Sequence, residues 1–249
     1  MLLFMGMVTE KAVAAARFAA EAAAETLWPT RCAICDMPGS VLCARCARLL
    51  PYVDWWRACR RCGSPFGYVQ CDACSSVTLA RIGRKRLPYE ACSSAVMFSA
   101  ASGRVVRVFK DQGEQRLGAV MASAMVRALP PEWPFDAVSF VPSTLAAYRY
   151  RGFDHAQLIA QEIAAAVGRE CAAFLARPKT RDQRKLTAVQ RVANLKGRFQ
   201  VAQGAVGTMP SRVLLVDDVY TTGATLCAAA DALLLGGVRE VRCLTFARV

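Results

Sequence analysis

Eight cysteines between positions 32 and 74 fall into four C-x-x-C pairs: Cys32/Cys35, Cys43/Cys46, Cys59/Cys62 and Cys71/Cys74. A C-x-x-C knuckle places two sulfurs on one side of a tight turn, so two neighbouring knuckles close a tetrahedral thiolate site. A disulfide framework would need an exported chain, and a redox dithiol uses one such motif rather than four. The segment has too few apolar side chains to fold alone, so metal binding would supply much of its folding free energy. We read two structural Zn2+ sites. Sequential pairing is favoured, the first two pairs on one ion and the last two on another; interleaved pairing stays open. Cys92, Cys171, Cys227 and Cys243 stand among apolar neighbours and read as small core residues.

Charge is localised as well. The formal balance of the 249 residues is +13. Residues 31–86 and residues 177–198 each carry a net +7, and everything else sums to −1. An anionic partner should therefore meet one of these two segments. Two tetrathiolate zinc centres bring two negative charges each, which lowers the whole to about +9. With 55% apolar residues, the chain can build a sizeable core and is not disordered throughout. No apolar run is long and charge-free enough to predict a membrane-spanning helix, so no membrane insertion is expected.

The N-terminal stretch lacks a basic region ahead of its Leu/Phe run, and Lys11, Arg17, Glu21 and Glu25 interrupt the Ala-rich residues beyond that run. It reads as an Ala-rich helix over 1–28 that stops before Pro29, rather than as an export signal. Thiolate zinc without export implies a reducing, cytoplasmic setting. The expected organisation is this helix, a double zinc ribbon over 29–77, a basic connector over 78–88, and an α/β domain over 89–249. In that last part strands are expected at 91–99, 136–141, 171–175, 213–216 and 241–246. Helical spacing covers 105–109, 117–129, 156–167 and 224–235. Strands alternating with helices predict a parallel sheet.

The most informative stretch runs from Val213 to Thr225. Four apolar residues lead into Asp217 and Asp218, then into Thr221-Thr222-Gly223-Ala224-Thr225, then into a helix. This is a ligand site at the carboxyl end of a parallel strand. Backbone N–H groups, hydroxyls and a helix N-terminus suit a phosphate monoester. The two carboxylates instead suit the hydroxyls of a sugar, with Mg2+ nearby. A ligand holding both a ribose diol and a 5′-phosphate satisfies the whole stretch. One strand earlier, Ser143 and Thr144 lead to Arg149 and Arg151, whose charged donors would neutralise further phosphate oxygens.

Residues 213–225 resemble the phosphoribosyl pyrophosphate (PRPP) signature of type I phosphoribosyltransferases. The resemblance gives Asp217 and Asp218 the ribose hydroxyls and a catalytic role, and gives Thr221, Thr222, Gly223, Ala224 and Thr225 the 5′-phosphate. It places Ser143, Thr144, Arg149 and Arg151 at the pyrophosphate loop, and Lys110 at a basic position after the first helix. Four C-x-x-C pairs, then R-G-F-D-H-A-Q, R-P-K-T-R-x-Q, Q-R-x-x-N and the PRPP signature together resemble the ComF family. That family joins a zinc ribbon to a phosphoribosyltransferase-like domain and is linked to DNA uptake in natural competence. The resemblance places a mobile hood over the site at the basic segment, with Arg177, Lys179, Arg181, Gln190, Arg191 and Asn194. This chain departs from the family's R-G-F-N-Q at Asp154 and His155. His155, the sole histidine, reads as a core or surface residue.

These features support two functions. One is Mg2+-dependent binding of PRPP, with phosphoribosyl transfer as the associated chemistry. The other is a non-catalytic accessory that holds single-stranded DNA beside a DNA-translocating helicase partner. Trp55, Trp56, Phe66 and Tyr68, interleaved with arginines, read first as packing residues of the ribbon and second as stacking platforms for bases.

Overall fold

The apolar run beginning at Val213 forms the centre of a five-stranded, wholly parallel sheet in a computed structural model that describes residues 25–26, 29–178, 199–205 and 207–249. The strands are β1 (Ala91–Met97), β2 (Ala137–Phe140), β3 (Glu170–Cys171), β4 (Arg212–Tyr220) and β5 (Glu240–Arg248), in the spatial order β1-β5-β4-β2-β3. The helices are α1 (Ala44–Arg48), α2 (Ser76–Arg81), α3 (Ala100–Asp111), α4 (Leu117–Ala128), α5 (Leu145–Arg151), α6 (His155–Val167) and α7 (Ala224–Leu235). Of the helix expected over 1–28, Glu25 and Thr26 are helical; 1–24 and 27–28 lie outside the described residues.

Central β4 is buried on both faces, as its unbroken apolar sequence requires. Helices α4 and α6 pack on each other and on the sheet. A further cluster joins Leu226, Cys227, Ala230 and Leu233 of α7 to Val213, Leu215, Val241 and Cys243. Cys59, Cys62, Cys74 and Leu79 belong to the same cluster, so the second pair of knuckles shares a core with the sheet. The free edge of β1 is covered. Val53 donates to Ala95 O at 3.0 Å and Met97 to Pro51 O at 2.8 Å, which removes a bare strand edge.

Three elements differ from expectation. β4 does not end at Val216. It continues through Asp217 to Tyr220, because β5 runs on beside it and pairs Asp217 with Thr245 and Tyr220 with Arg248. The expected strand at 171–175 shrinks to two residues plus a bridge between Leu175 and Val201. The stretch carrying Arg149 and Arg151 is the helix α5, capped by Thr144 Oγ1 and closed by Gly152 at φ 79°.

Compactness divides the chain into Met1–Leu49 and Leu50–Val249. The first unit contains Cys32, Cys35, Cys43 and Cys46. The second contains Cys59, Cys62, Cys71 and Cys74 together with the whole sheet.

Candidate functional site

Strand β4 delivers both carboxylates to the carboxyl end of the sheet already buried: Asp217 is 8% exposed and Asp218 3%. Asp218 N–H donates to Asp217 Oδ1 at 2.9 Å, which fixes the first carboxylate against its own backbone. Lys110, from the last turn of α3, places its ammonium on Asp218 Oδ2. His155, the first residue of α6, brings Nε2 to 3.7 Å from Asp218 Oδ1. The neighbouring carboxylates are therefore unlike. Burial and the adjacent Asp218 charge push the Asp217 carboxyl well above its ordinary range. Burial is the largest influence and would raise Asp218 too, but the Lys110 charge, the neighbouring His155 and hydrogen bonds from Lys110 and Asp217 together outweigh it and hold that carboxylate low. Burial, with Lys110 next, lowers His155 to about 4, so its ring is neutral at pH 7. His155 is buried, as its reading as a core residue expects, and it also lies beside the acidic pair. Its clue in the sequence was its position close behind the Arg151-Gly152 helix end.

The loop after β4 is built to expose donors. Thr221, Thr222 and Thr225 face solvent, whereas Gly223 is buried and begins α7 at φ 74°. A side chain there would also collide with the Tyr220 hydroxyl, which lies 2.2 Å from where a Cβ would stand. The twelve-residue α7 therefore opens without a cap from its own N-cap residue, Ala224 N donating to Thr222 Oγ1 at 3.4 Å, and with three threonine hydroxyls nearby in the chain.

At the end of β2, the side chains of Ser143 and Thr144 are engaged within the fold. Asp154 Oδ2 accepts from Ser143 N at 2.9 Å, from Ser143 Oγ at 2.9 Å and from Arg177 Nη1 at 2.7 Å. Asp154 also caps α6 by accepting from Gln157 N. Its carboxylate braces the loop. Arg177 also donates to Ser143 O at 3.1 Å and lies 4.2 Å over the Tyr148 ring. It is an anchor of the Ser143 loop here. The other hood residues, Lys179, Arg181, Gln190, Arg191 and Asn194, lie outside the described residues.

Arg149 is exposed. Arg151 is nine-tenths buried, with Nη2 3.7 Å from Asp111 Oδ1, Nη1 3.5 Å from His155 Nδ1, and Nε buried without a partner. Lys110 and Arg151, on separate helices, thus converge on the space around Asp218 and His155. Two cations and an orphaned N–H suit a polyanion. His155, Asp217 and Asp218 also lie close enough to share a metal ion.

The cysteines form two sequential tetrads, with ligand atoms within 4.8 Å of one another in each. Cys35 and Cys43 sulfurs are 3.8 Å apart, Cys59 and Cys74 3.7 Å, and Cys62 and Cys71 3.5 Å. A tetrahedron with metal–sulfur arms of about 2.3 Å has edges near 3.8 Å, so both tetrads fit zinc. Cys92, Cys227 and Cys243 are core residues, but Cys171 is only half-buried on the edge strand β3. Trp55, Trp56, Phe66 and Tyr68 do not pack as expected: they are 63%, 57%, 61% and 52% exposed. Among the described residues, no helix is long and apolar enough to cross a membrane.

Residues 142–249 match the phosphoribosyl transferase domain family. The DNA utilization protein YhgH of Salmonella typhi is 27% identical over 229 residues, covering 86% of this chain and 95% of that protein. Its counterpart in Salmonella typhimurium is 26% identical over the same shares. A crystal structure of adenine phosphoribosyltransferase aligns at 15% identity and a TM-score of 0.33, over 58% of this chain and 75% of that one. Residues 142–249, which bear the acidic pair, thus resemble a phosphoribosyl transferase domain, and with its two preceding cysteine tetrads the chain resembles the ComF family.

Proposed function

We propose that this protein binds PRPP with Mg2+ at the carboxyl ends of β2 and β4, and that it works in DNA uptake or processing. One observation carries the ligand: a buried carboxylate pair stands immediately before an open helix N-terminus rimmed by three threonines. Asp217 and Asp218 would accept from the ribose hydroxyls, and the Thr221–Thr225 backbone would donate to the 5′-phosphate. Lys110 and Arg151 would turn from Asp218 and Asp111 to the pyrophosphate oxygens, with Arg149 beside them. Magnesium, when bound, neutralises pyrophosphate charge, and oxygen donors of this kind suit it. If pyrophosphate leaves, positive charge develops at ribose C1, and the buried carboxylates would stabilise it electrostatically. The role in DNA utilisation rests on the curated relatives. Saturating Mg2+-PRPP should raise the melting temperature by ligand linkage, and ribose 5-phosphate should raise it less. No shift with either ligand would remove this reading.

A second reading is favoured by the exposed aromatic residues. Arg57 lies 4.6 Å over Phe66 and Arg60 5.0 Å over Tyr68, beside the exposed, edge-to-face Trp55 and Trp56. Rings paired with guanidinium groups at an open surface suit single-stranded DNA. Affinity for an oligothymidine should fall steeply with salt and weaken in Trp55→Ala/Phe66→Ala. No binding at low salt would eliminate it.

A further inference from the structure

Arg248, the last residue of β5, is 4% exposed. Its Nη1 donates to Cys62 O, and its Nη2 lies 3.6 Å from Cys62 Sγ. Its guanidinium carbon stands 3.9 Å from the centroid of the Tyr220 ring. Tyr220 is itself 4% exposed, and its hydroxyl is 3.0 Å from that of Tyr89. The same hydroxyl occupies the space beneath Gly223, the residue that opens α7. The knuckle bearing Cys62 also lies against the sheet: a Cβ on Gly63 would come within 2.5 Å of Cys92 O. One buried arginine therefore touches a member of the second tetrad and the residue that shapes the phosphate loop.

The charges explain why an arginine is tolerated there. A divalent ion held by four thiolates has a net charge of about −2. Burying such a centre costs free energy unless a fixed positive charge faces it, and burying a guanidinium is unfavourable without an anion. Arg248 and the second tetrad satisfy each other. The first tetrad is arranged differently. Backbone N–H groups of Cys43 and Cys46 donate to its sulfurs, Cys35 is exposed, and nearby Arg31 pairs with Asp36 across an open turn.

We propose that Arg248 is a positioning residue that couples metal occupancy of the Cys59/Cys62/Cys71/Cys74 tetrad to the Thr221–Thr225 loop through Tyr220. With the metal bound, Arg248 is held between the thiolates and the Tyr220 ring, and the ring holds the loop in its donor-out shape. With the metal gone, the guanidinium loses its anion, and the ring and loop lose their support. The ligand end rests on the phosphoribosyl reading; the mechanical link does not.

Hydrogen exchange at the amides of Thr221–Thr225 tests the link without any ligand, in the full zinc-loaded chain. Arg248→Met should speed exchange there by roughly tenfold, a local opening free-energy change of about 1.4 kcal/mol. Arg248→Lys, which keeps the charge but not the planar contact, should recover part of the protection. Tyr220→Leu leaves all eight ligands in place; it should retain two zinc equivalents and still speed exchange. Cys71→Ser should give the same local loss, and Cys35→Ser should not. Unchanged loop exchange in both Cys71→Ser and Tyr220→Leu overturns the coupling. Calorimetry with Mg2+-PRPP on the same samples separates the two ideas. A wild type that binds no PRPP while its loop still responds to the tetrad leaves the coupling standing and removes the phosphoribosyl reading.

Discussion

Four thiolates close a tetrad in Met1–Leu49 and four more close one in Leu50–Val249, yet the two stand in different surroundings. The first has an exposed Cys35 and a half-buried Cys43. In the second, Cys59, Cys62 and Cys74 are buried and belong to the same apolar cluster as β4, β5 and α7. A metal site with buried Cys32 and Cys46 but an exposed Cys35 stabilises its own small fold. One built into a sheet's core also stabilises the sheet, and its charge needs a buried partner. The same ligand spacing therefore carries different structural weight, and the difference is set by what lies around the knuckles.

The largest test of this difference is a pair of cysteine replacements. Cys62→Ser removes a fully buried ligand beside Arg248. It should cost about 3–5 kcal/mol and lower the melting temperature of the sheet unit by roughly 10 °C. Cys35→Ser should also release one metal equivalent but leave that transition within about 2 °C of wild type. Equal falls in calorimetric scans would erase the distinction.

A smaller effect sharpens it within the second unit. Asp154 is the shared acceptor of Ser143 and Arg177. Asp154→Ala should lose about 2–4 kcal/mol in denaturant unfolding, because donors are left buried and unpaired. Zinc content should stay at two equivalents. Loss of metal in that variant would mean that the tetrad's surroundings extend further than its core cluster.

A more gradual effect is in pH. The sole histidine is in the second unit and has a folded pKa lowered from 6.5 to about 4. Between these values the unfolded chain binds the proton and the folded chain does not. Stability of the sheet unit therefore falls as pH drops from about 6.5 toward 4, by at most about 1.4 kcal/mol per unit. His155→Gln should flatten that part of the profile relative to wild type, which removes the contribution of thiolate protonation common to both. Parallel profiles would show that His155 titrates freely.

The sequence made the sheet and the tetrads readable because both are written in local patterns. C-x-x-C spacing is short-range, and Val213–Val216 is an apolar run of strand length. Asp217, Asp218 and the Thr221–Thr225 loop were legible for the same reason, as one contiguous stretch. The extension of β4 to Tyr220 was hidden, since it depends on a neighbouring strand 28 residues away in the chain. Arg248 was hidden too: a lone arginine near the chain's end has no local pattern that pairs it with Cys62, 186 residues earlier. Asp154 looked like a misplaced negative charge because its partners, Ser143 and Arg177, come from two separate loops, 11 residues before it and 23 after it. The exposed aromatic residues around position 60 defeated a rule that holds for larger cores. In this stretch the buried positions are taken by Ala58, Cys59 and Cys62, which leaves the rings at the surface.

The central claim is that a buried carboxylate pair beside an open helix N-terminus takes a phosphoribosyl ligand. Calorimetric titration of the zinc-loaded chain with Mg2+-PRPP tests it most directly, with Asp217→Asn/Asp218→Asn alongside. The account predicts saturable binding to wild type, and at least a roughly 100-fold weaker affinity in the double variant, or about 2.7 kcal/mol. The variant's melting profile should still show a cooperative sheet unit. Equal affinities in the two proteins, or no heat of binding in the wild type, would contradict it.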